Sequence, residues 1–208
     1  LEWKMKINML GWIVSGLLLA VYLYATWLPA SQKDIMPLIP ALQSYWRIIH
    51  VPPLIISYAL FIIGSISSAV YLVQLKLGKG SESIEEESSK KIEIKSDSSY
   101  VSTKREFFDE VTYRCVTFGF PLLTIGIING AIWANHAWGA FWQWDPKETM
   151  ALVTFFVYAI YIHLRLTSKA SKKTLALISL VGLIMVYLTY LGVNLYDFGG
   201  LHSYGKLD

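Results

Sequence analysis

Five stretches of the sequence, at about 7–28, 51–75, 114–134, 149–166 and 174–195, run mostly apolar for close to the length a bilayer demands. Crossing a hydrocarbon core takes about 20 such residues in helical form. No strand-like alternation competes with the helical reading of these stretches. The chain is therefore expected to be all-α, a polytopic membrane protein of about five transmembrane helices. Composition agrees, since 54% of the 208 residues are hydrophobic and only 16% charged, beyond the usual soluble domain. The stretches are too numerous, and their flanks too unlike a charged n-region with a small-residue cleavage site, for the first to be read simply as a signal peptide. Leu1 is not an initiator methionine; a fragment, a processed product and one half of a longer polypeptide all remain open.

Charge placement sets the expected orientation. Lys4 and Lys6 precede the first span, Lys76, Lys79, Lys90, Lys91, Lys95, Lys104 and Arg105 lie between the second and third, and Arg165, Lys169, Lys172 and Lys173 between the fourth and fifth. The positive-inside rule makes these segments cytoplasmic, with the N-terminus cytoplasmic and the C-terminus outside. Segments 29–50, 135–148 and 196–208 then share the outer face. The Ser-, Glu- and Lys-rich stretch 78–99 cannot bury enough apolar surface to offset its ordering entropy. It is expected to be a mobile cytoplasmic loop within a single membrane domain, 1–208. A net charge of +3 without a basic stripe or phosphate-binding loop gives no reason to expect a nucleic acid partner. Cys115 is the only cysteine, which excludes an internal disulfide and a C-x-x-C exchange pair.

Three of the four histidines, His50, His136 and His202, fall in the outer segments. The fourth, His163, lies 16 residues beyond Lys147 in span four, about 24 Å along a helix and near its cytoplasmic end. An ionisable residue within a span is costly and points to function. His50 is expected immediately before the second span, with Pro52 and Pro53 in the first helical turn. The outer segment 133–148 holds Trp133, Trp138, Trp142 and Trp144 within twelve positions. Interfacial belts do gather tryptophan, and Trp3, Trp12, Trp27 and Trp46 fit one. A belt does not require such a density.

If 138–145 is helical, Trp138, Phe141, Trp142 and Asp145 share one face, with Gly139 and Ala140 leaving the surface between them low. That is a shelf for a flat ligand, and a porphyrin is the flat ligand whose iron takes histidines. Arg47, three residues from His50, is the best-placed cation for its propionates, ahead of Lys33, Lys147 and Lys206. The structural alternatives are an interfacial belt for the tryptophans, a capping box (Asp145 N-cap, Pro146 N1, Glu148 N3) for the acidic pair, and close helix packing for Gly126 and Gly130.

Residues 119–166, "GFPLLTIGIINGAIWANHAWGAFWQWDPKETMALVTFFVYAIYIHLRL", with "PALQSYWRIIHV" at 40–51 and "GVNLYDFGGLHSYG" at 192–205, resemble the haem-handling, tryptophan-rich (WWD) proteins of cytochrome c biogenesis, CcsA/ResC type of System II. The W-G-x-x-W-x-W-D-P-K-E motif is specific, and the likeness covers nearly the whole chain after about residue 35. The resemblance implies that His50 and His202 are axial ligands of an outer haem and that the segment from Trp138 to Asp145, with Trp142 and Trp144, cradles the porphyrin. It implies a second, membrane haem site at His163, whose mate comes from a CcsB/ResB-type membrane partner. Transient binding of haem b, its movement to the outer face of the membrane and its thioether attachment to C-x-x-C-H motifs of apocytochrome c would follow, a cytochrome c synthase (haem lyase type) activity expected in a bacterial inner membrane, with a thylakoid membrane as the alternative. A haem exporter or chaperone without synthase activity, a cytochrome b-like electron carrier and an aromatic scaffold are the other classes considered. Met150 departs from the Trp expected after K-E-T, and the resemblance gives His136 no role.

Overall fold

A computed structural model of the protein describes residues 9–29, 43–85, 94–193 and 200–202. Residues 1–42 form a unit of their own, within which helix α1, Met9–Trp27, is described. The second unit, residues 43–208, contains α2 (Trp46–Glu85), α3 (Ile94–Trp138), α4 (Pro146–Leu166) and α5 (Lys172–Tyr187), the last continued by a π-helical turn at Leu188–Gly192. No strand occurs among the described residues. Four helices are long and apolar enough to cross a bilayer, over Trp46–Leu77, Lys104–Trp138, Pro146–Leu166 and Lys172–Gly192. In α1 the described apolar portion is the shorter Leu18–Trp27. The protein is an integral, all-helical membrane protein.

Two boundaries differ from the sequence expectation. The second span begins at Trp46, so His50 lies inside its first turns, and Pro52 and Pro53 sit within the helix rather than at its start. The helix opens earlier because Ser44 Oγ accepts a hydrogen bond from the Trp46 N–H at 3.3 Å; neighbouring helices make interior prolines tolerable in membranes. The polar stretch 78–99 is helical at both ends, α2 running on to Glu85 and α3 opening at Ile94, and 86–93 lies outside the described residues. Glu and Lys are good helix formers, so a composition that forbids burial does not forbid a helix. Lys33 and Lys206 are also outside the described residues.

Lipid is as apolar as leucine, so packing and interhelical hydrogen bonds hold such a bundle, each bond worth about 0.6 kcal/mol on average. The core follows that logic. Phe61 of α2 stacks on Tyr158 of α4 at 3.6 Å, with Val116, Leu123, Tyr161 and Leu175 around them. Ser57 of α2 donates to the Gly119 carbonyl, Ser65 to the Ser179 carbonyl at 2.9 Å, and Thr154 bonds Thr189 at 3.1 Å. Phe118, Ile125, Phe156 and Ile184 point outward, as side chains facing lipid do. The ends of the bundle differ: α2 and α4 start, and α3 and α5 finish, at the end carrying His50 and His202. Arg165 and Lys172 stand at the opposite end, the one expected from charge placement to face inward.

Candidate haem site at the outer end

Helix α3 stops at Trp138 because Gly139 adopts φ +79°, a left-handed C-cap in which its N–H bonds the Asn135 carbonyl at 3.0 Å. The helix across 138–145 on which a shared face depended is therefore absent, and Trp138, Phe141, Trp142 and Asp145 do not form a helical face. The segment is an irregular turn into α4. Asp145 caps that helix, Oδ1 accepting from the Lys147 N–H at 2.9 Å, and Pro146 takes the first helical position. Glu148 completes the capping box, and its Oε2 accepts from both the Asp145 N–H at 3.2 Å and the Gln143 N–H at 2.9 Å. Those two amides flank Trp144, a bulky residue at φ 56°, where strain of about 1–3 kcal/mol persists only if the surroundings impose it. Glu148 imposes it. Trp144 is 70% exposed and meets Trp142 edge to face at 5.8 Å.

Asp145 does more than cap. Its carboxylate, nearly buried, also accepts from His202 Nδ1 at 2.8 Å and from the Leu201 N–H at 2.6 Å. Gly200, at φ +99°, brings the C-terminal strand of chain over Asp145 and Pro146 so closely that a Cβ there would collide with the Asp145 carboxylate. Burial by itself would raise the Asp145 pKa. The charge that His202 carries when protonated and its hydrogen bond, with the amides of Lys147 and Leu201, outweigh it and hold the carboxyl below its usual range.

His50 is oriented from the other side. Its Nδ1 lies 2.8 Å from the Gly126 carbonyl of α3, and a Cβ on Gly130 would overlap the imidazole. The Gly126/Gly130 pair is thus close packing with a particular occupant: Leu54 fills the space over Gly126 and the His50 ring fills that over Gly130. A carbonyl and a carboxylate only accept, so Nδ1 of both His50 and His202 carries the hydrogen. Nε2 is then the nitrogen with a lone pair for a metal, and the bonded carbonyl or carboxylate fixes ring orientation and raises ligand basicity.

The two imidazoles meet at one indole. Trp133 is 3% exposed; His50 stacks on it and His202 meets it edge to face, both at 5.8 Å, so the two imidazole rings are no further apart than twice that distance. Trp138 packs on both Trp133, at 5.0 Å, and His202, at 5.1 Å. Of the residues singled out in the sequence, His50, His202, Trp133, Trp138 and Asp145 therefore form one cluster. Trp142 and Trp144 form a separate, more exposed pair, and Arg47 is exposed beside His50. His163 lies at the far end of α4, exposed on the stripe of Phe156 and Ile160.

Five residues have contacts that sequence reasoning did not assign: Gly130 and the Gly126 carbonyl seat His50, Gly200 closes over Asp145, Glu148 holds Trp144, and Trp46 faces His136 at 5.3 Å. The glycine spacing in span three and the capping box offered signals, of close packing and of a helix start, without naming these partners.

The fold and the cluster define a class: a polytopic helical membrane protein with two pre-oriented imidazoles at one end, set among tryptophans. Residues 2–201 match the family model described as Cytochrome C assembly protein. Similar curated proteins are each named cytochrome c biogenesis protein CcsA. That of Guillardia theta is 42% identical over 212 residues, covering 100% of this chain and 70% of the relative. That of Chlamydomonas reinhardtii is 44% identical over 199 residues, covering 95% and 52%. That of Mesostigma viride is 41% identical over 214 residues, covering 99% and 70%. The chain spans between 52% and 70% of these relatives' lengths. It belongs to the cytochrome c assembly protein family.

Proposed function

We propose that this chain serves cytochrome c biogenesis by holding haem b, its transient substrate, at the outer end of the bundle, with Nε2 of His50 and Nε2 of His202 as the iron ligands. One observation carries the reading: each of the two imidazoles has Nδ1 tied to an oxygen that only accepts, and both lie against the same buried indole. Such anchoring is how proteins orient ligating histidines. Trp138 offers flat surface beside them, the separate pair Trp142 and Trp144 would extend it, and Arg47 offers a cation for propionates. The haem vinyl groups are the electrophiles, and the chain contributes position and orientation. Each thiol of an apocytochrome C-x-x-C-H motif adds as S–H across one vinyl C=C bond, with no net change in electrons. The activity is that of a haem lyase type cytochrome c synthase, shared with a partner subunit.

His163 supports the partner. It shares an outward-facing stripe with Phe156 and Ile160, so a second imidazole for a membrane haem would come from another chain, of CcsB/ResB type. The similar proteins cited above come from algae, which favours a thylakoid over a bacterial inner membrane. The test is the absorption spectrum of the detergent-purified protein as wild type, His50→Ala and His202→Ala. A ferrous low-spin spectrum, weakened or oxidised in each variant and restored by imidazole, is expected. Variants unchanged from wild type, or a wild type without haem, overturn the reading.

A further inference from the structure

The seam between α2 and α3 holds a second imidazole–indole pair that the outer cluster does not use. In the inner layer His50 of α2 stacks on Trp133 of α3; one turn outward the arrangement repeats with the helices exchanged, His136 of α3 against Trp46 of α2 at 5.3 Å. Trp46 precedes His50 by four residues and His136 follows Trp133 by three, an axial step of about 5 Å on either helix. His136 Nδ1 lies 2.9 Å from the Ile132 carbonyl, so it donates there and Nε2 holds the lone pair. The ring is exposed. Tyr45 stacks on Trp46 at 5.4 Å and extends the aromatic surface outward.

We propose that His136, backed by Trp46, is a second and outermost ligand position for haem iron, taken when His50 releases it. The inference rests on the haem reading of the outer end. The step is a ligand exchange: the iron–Nε2 bond of His50 breaks, the iron–Nε2 bond of His136 forms, and no proton or electron is transferred because both imidazoles keep Nδ1–H. Its consequence is that iron stays coordinated on both sides while the haem shifts outward toward an acceptor.

The full chain purified with its partner, loaded with hemin and reduced, gives the test. His50→Ala should retain part of its haem as low-spin, and His50→Ala/His136→Ala should lose that fraction at least tenfold, as should His50→Ala/His136→Phe, which keeps a ring on Trp46 without the nitrogen. Imidazole should restore the low-spin spectrum to all three variants. Equal spectra in the single and double variants overturn the proposal while leaving the His50/His202 reading intact. Retention of the fraction with phenylalanine but not alanine also overturns it, since packing would then be the cause. A wild type without haem removes both.

Discussion

The bundle buries one aspartate at each end and gives them different partners. At the inner end Asp109, whose side chain is 7% exposed, takes two bonds of 2.9 Å from the Arg165 guanidinium, with Lys172 at 3.7 Å. Arg165 also lies 5.0 Å from the Tyr113 ring. At the outer end Asp145 takes one bond from an imidazole and two from backbone amides. A guanidinium is always charged and its fork fits a carboxylate bidentately, so the inner pair is a fixed clamp tying α3 to α4 and α5. An imidazole can bind metals, so the outer pair leaves His202 oriented for the iron ligation proposed above. The partner, more than the carboxylate, separates the two ends.

The largest effect is expected for Asp109→Asn. It strands a guanidinium only 20% exposed, and removing one partner of a buried pair costs about 3–5 kcal/mol. Thermal unfolding in detergent should show a large loss of stability, while the folded fraction keeps its haem spectrum; a spectrum lost with stability intact would reverse the assignment of the two ends. Gly130→Ala comes next. Its Cβ must displace the His50 ring, an overpacking cost of about 1–3 kcal/mol, and haem should bind with the low-spin fraction reduced. Gly130→Ala with a wild-type spectrum would show that His50 need not sit where the structure has it.

Asp145→Asn sharpens the outer side, because asparagine is as good an N-cap as aspartate. The capping bond to the Lys147 N–H should persist, while the loss of the charged acceptor on His202 lowers haem affinity about 10–100-fold. Titration with hemin measures the second quantity, and an unchanged affinity would leave Asp145 as a cap alone. The smallest effect is with pH. The Asp145 pKa is depressed in the folded protein, so its contribution is complete above the ordinary carboxylate value of about 3.9 and fades as pH falls through the lower folded value. The loss of stability in acid should be smaller in Asp145→Asn than in the wild type, by the contribution of this one carboxylate. Identical pH profiles would contradict the cause given for the shift.

Much of this was legible in the sequence because membrane helices announce themselves by length and apolarity, and because the capping box at Asp145–Glu148 is a local pattern. His50, His202, Trp133, Trp138 and Asp145 were all chosen, the latter part on the strength of the family motif. What sequence could not supply was long-range: Asp145 and His202 are 57 residues apart and His50 and Gly126 are 76 apart. No local pattern encodes either bond. The helix read across 138–145 failed for the opposite reason, since a regular aromatic spacing outweighed Gly139, whose left-handed conformation ends α3. Asp109 and Arg165 went unpaired in the reading because opposite charges 56 residues apart carry no signal of contact.

In the proposed function the outer site is complete within this chain, with His50 and His202 as its two iron ligands. Pulsed electron paramagnetic resonance on the oxidised haem protein, purified without a partner and carrying 15N-labelled histidine, would show this ligation. A low-spin ferric signal coupled to two imidazole nitrogens is expected, one of them lost in His202→Ala. A high-spin signal, or coupling to a single nitrogen in the wild type, would contradict it.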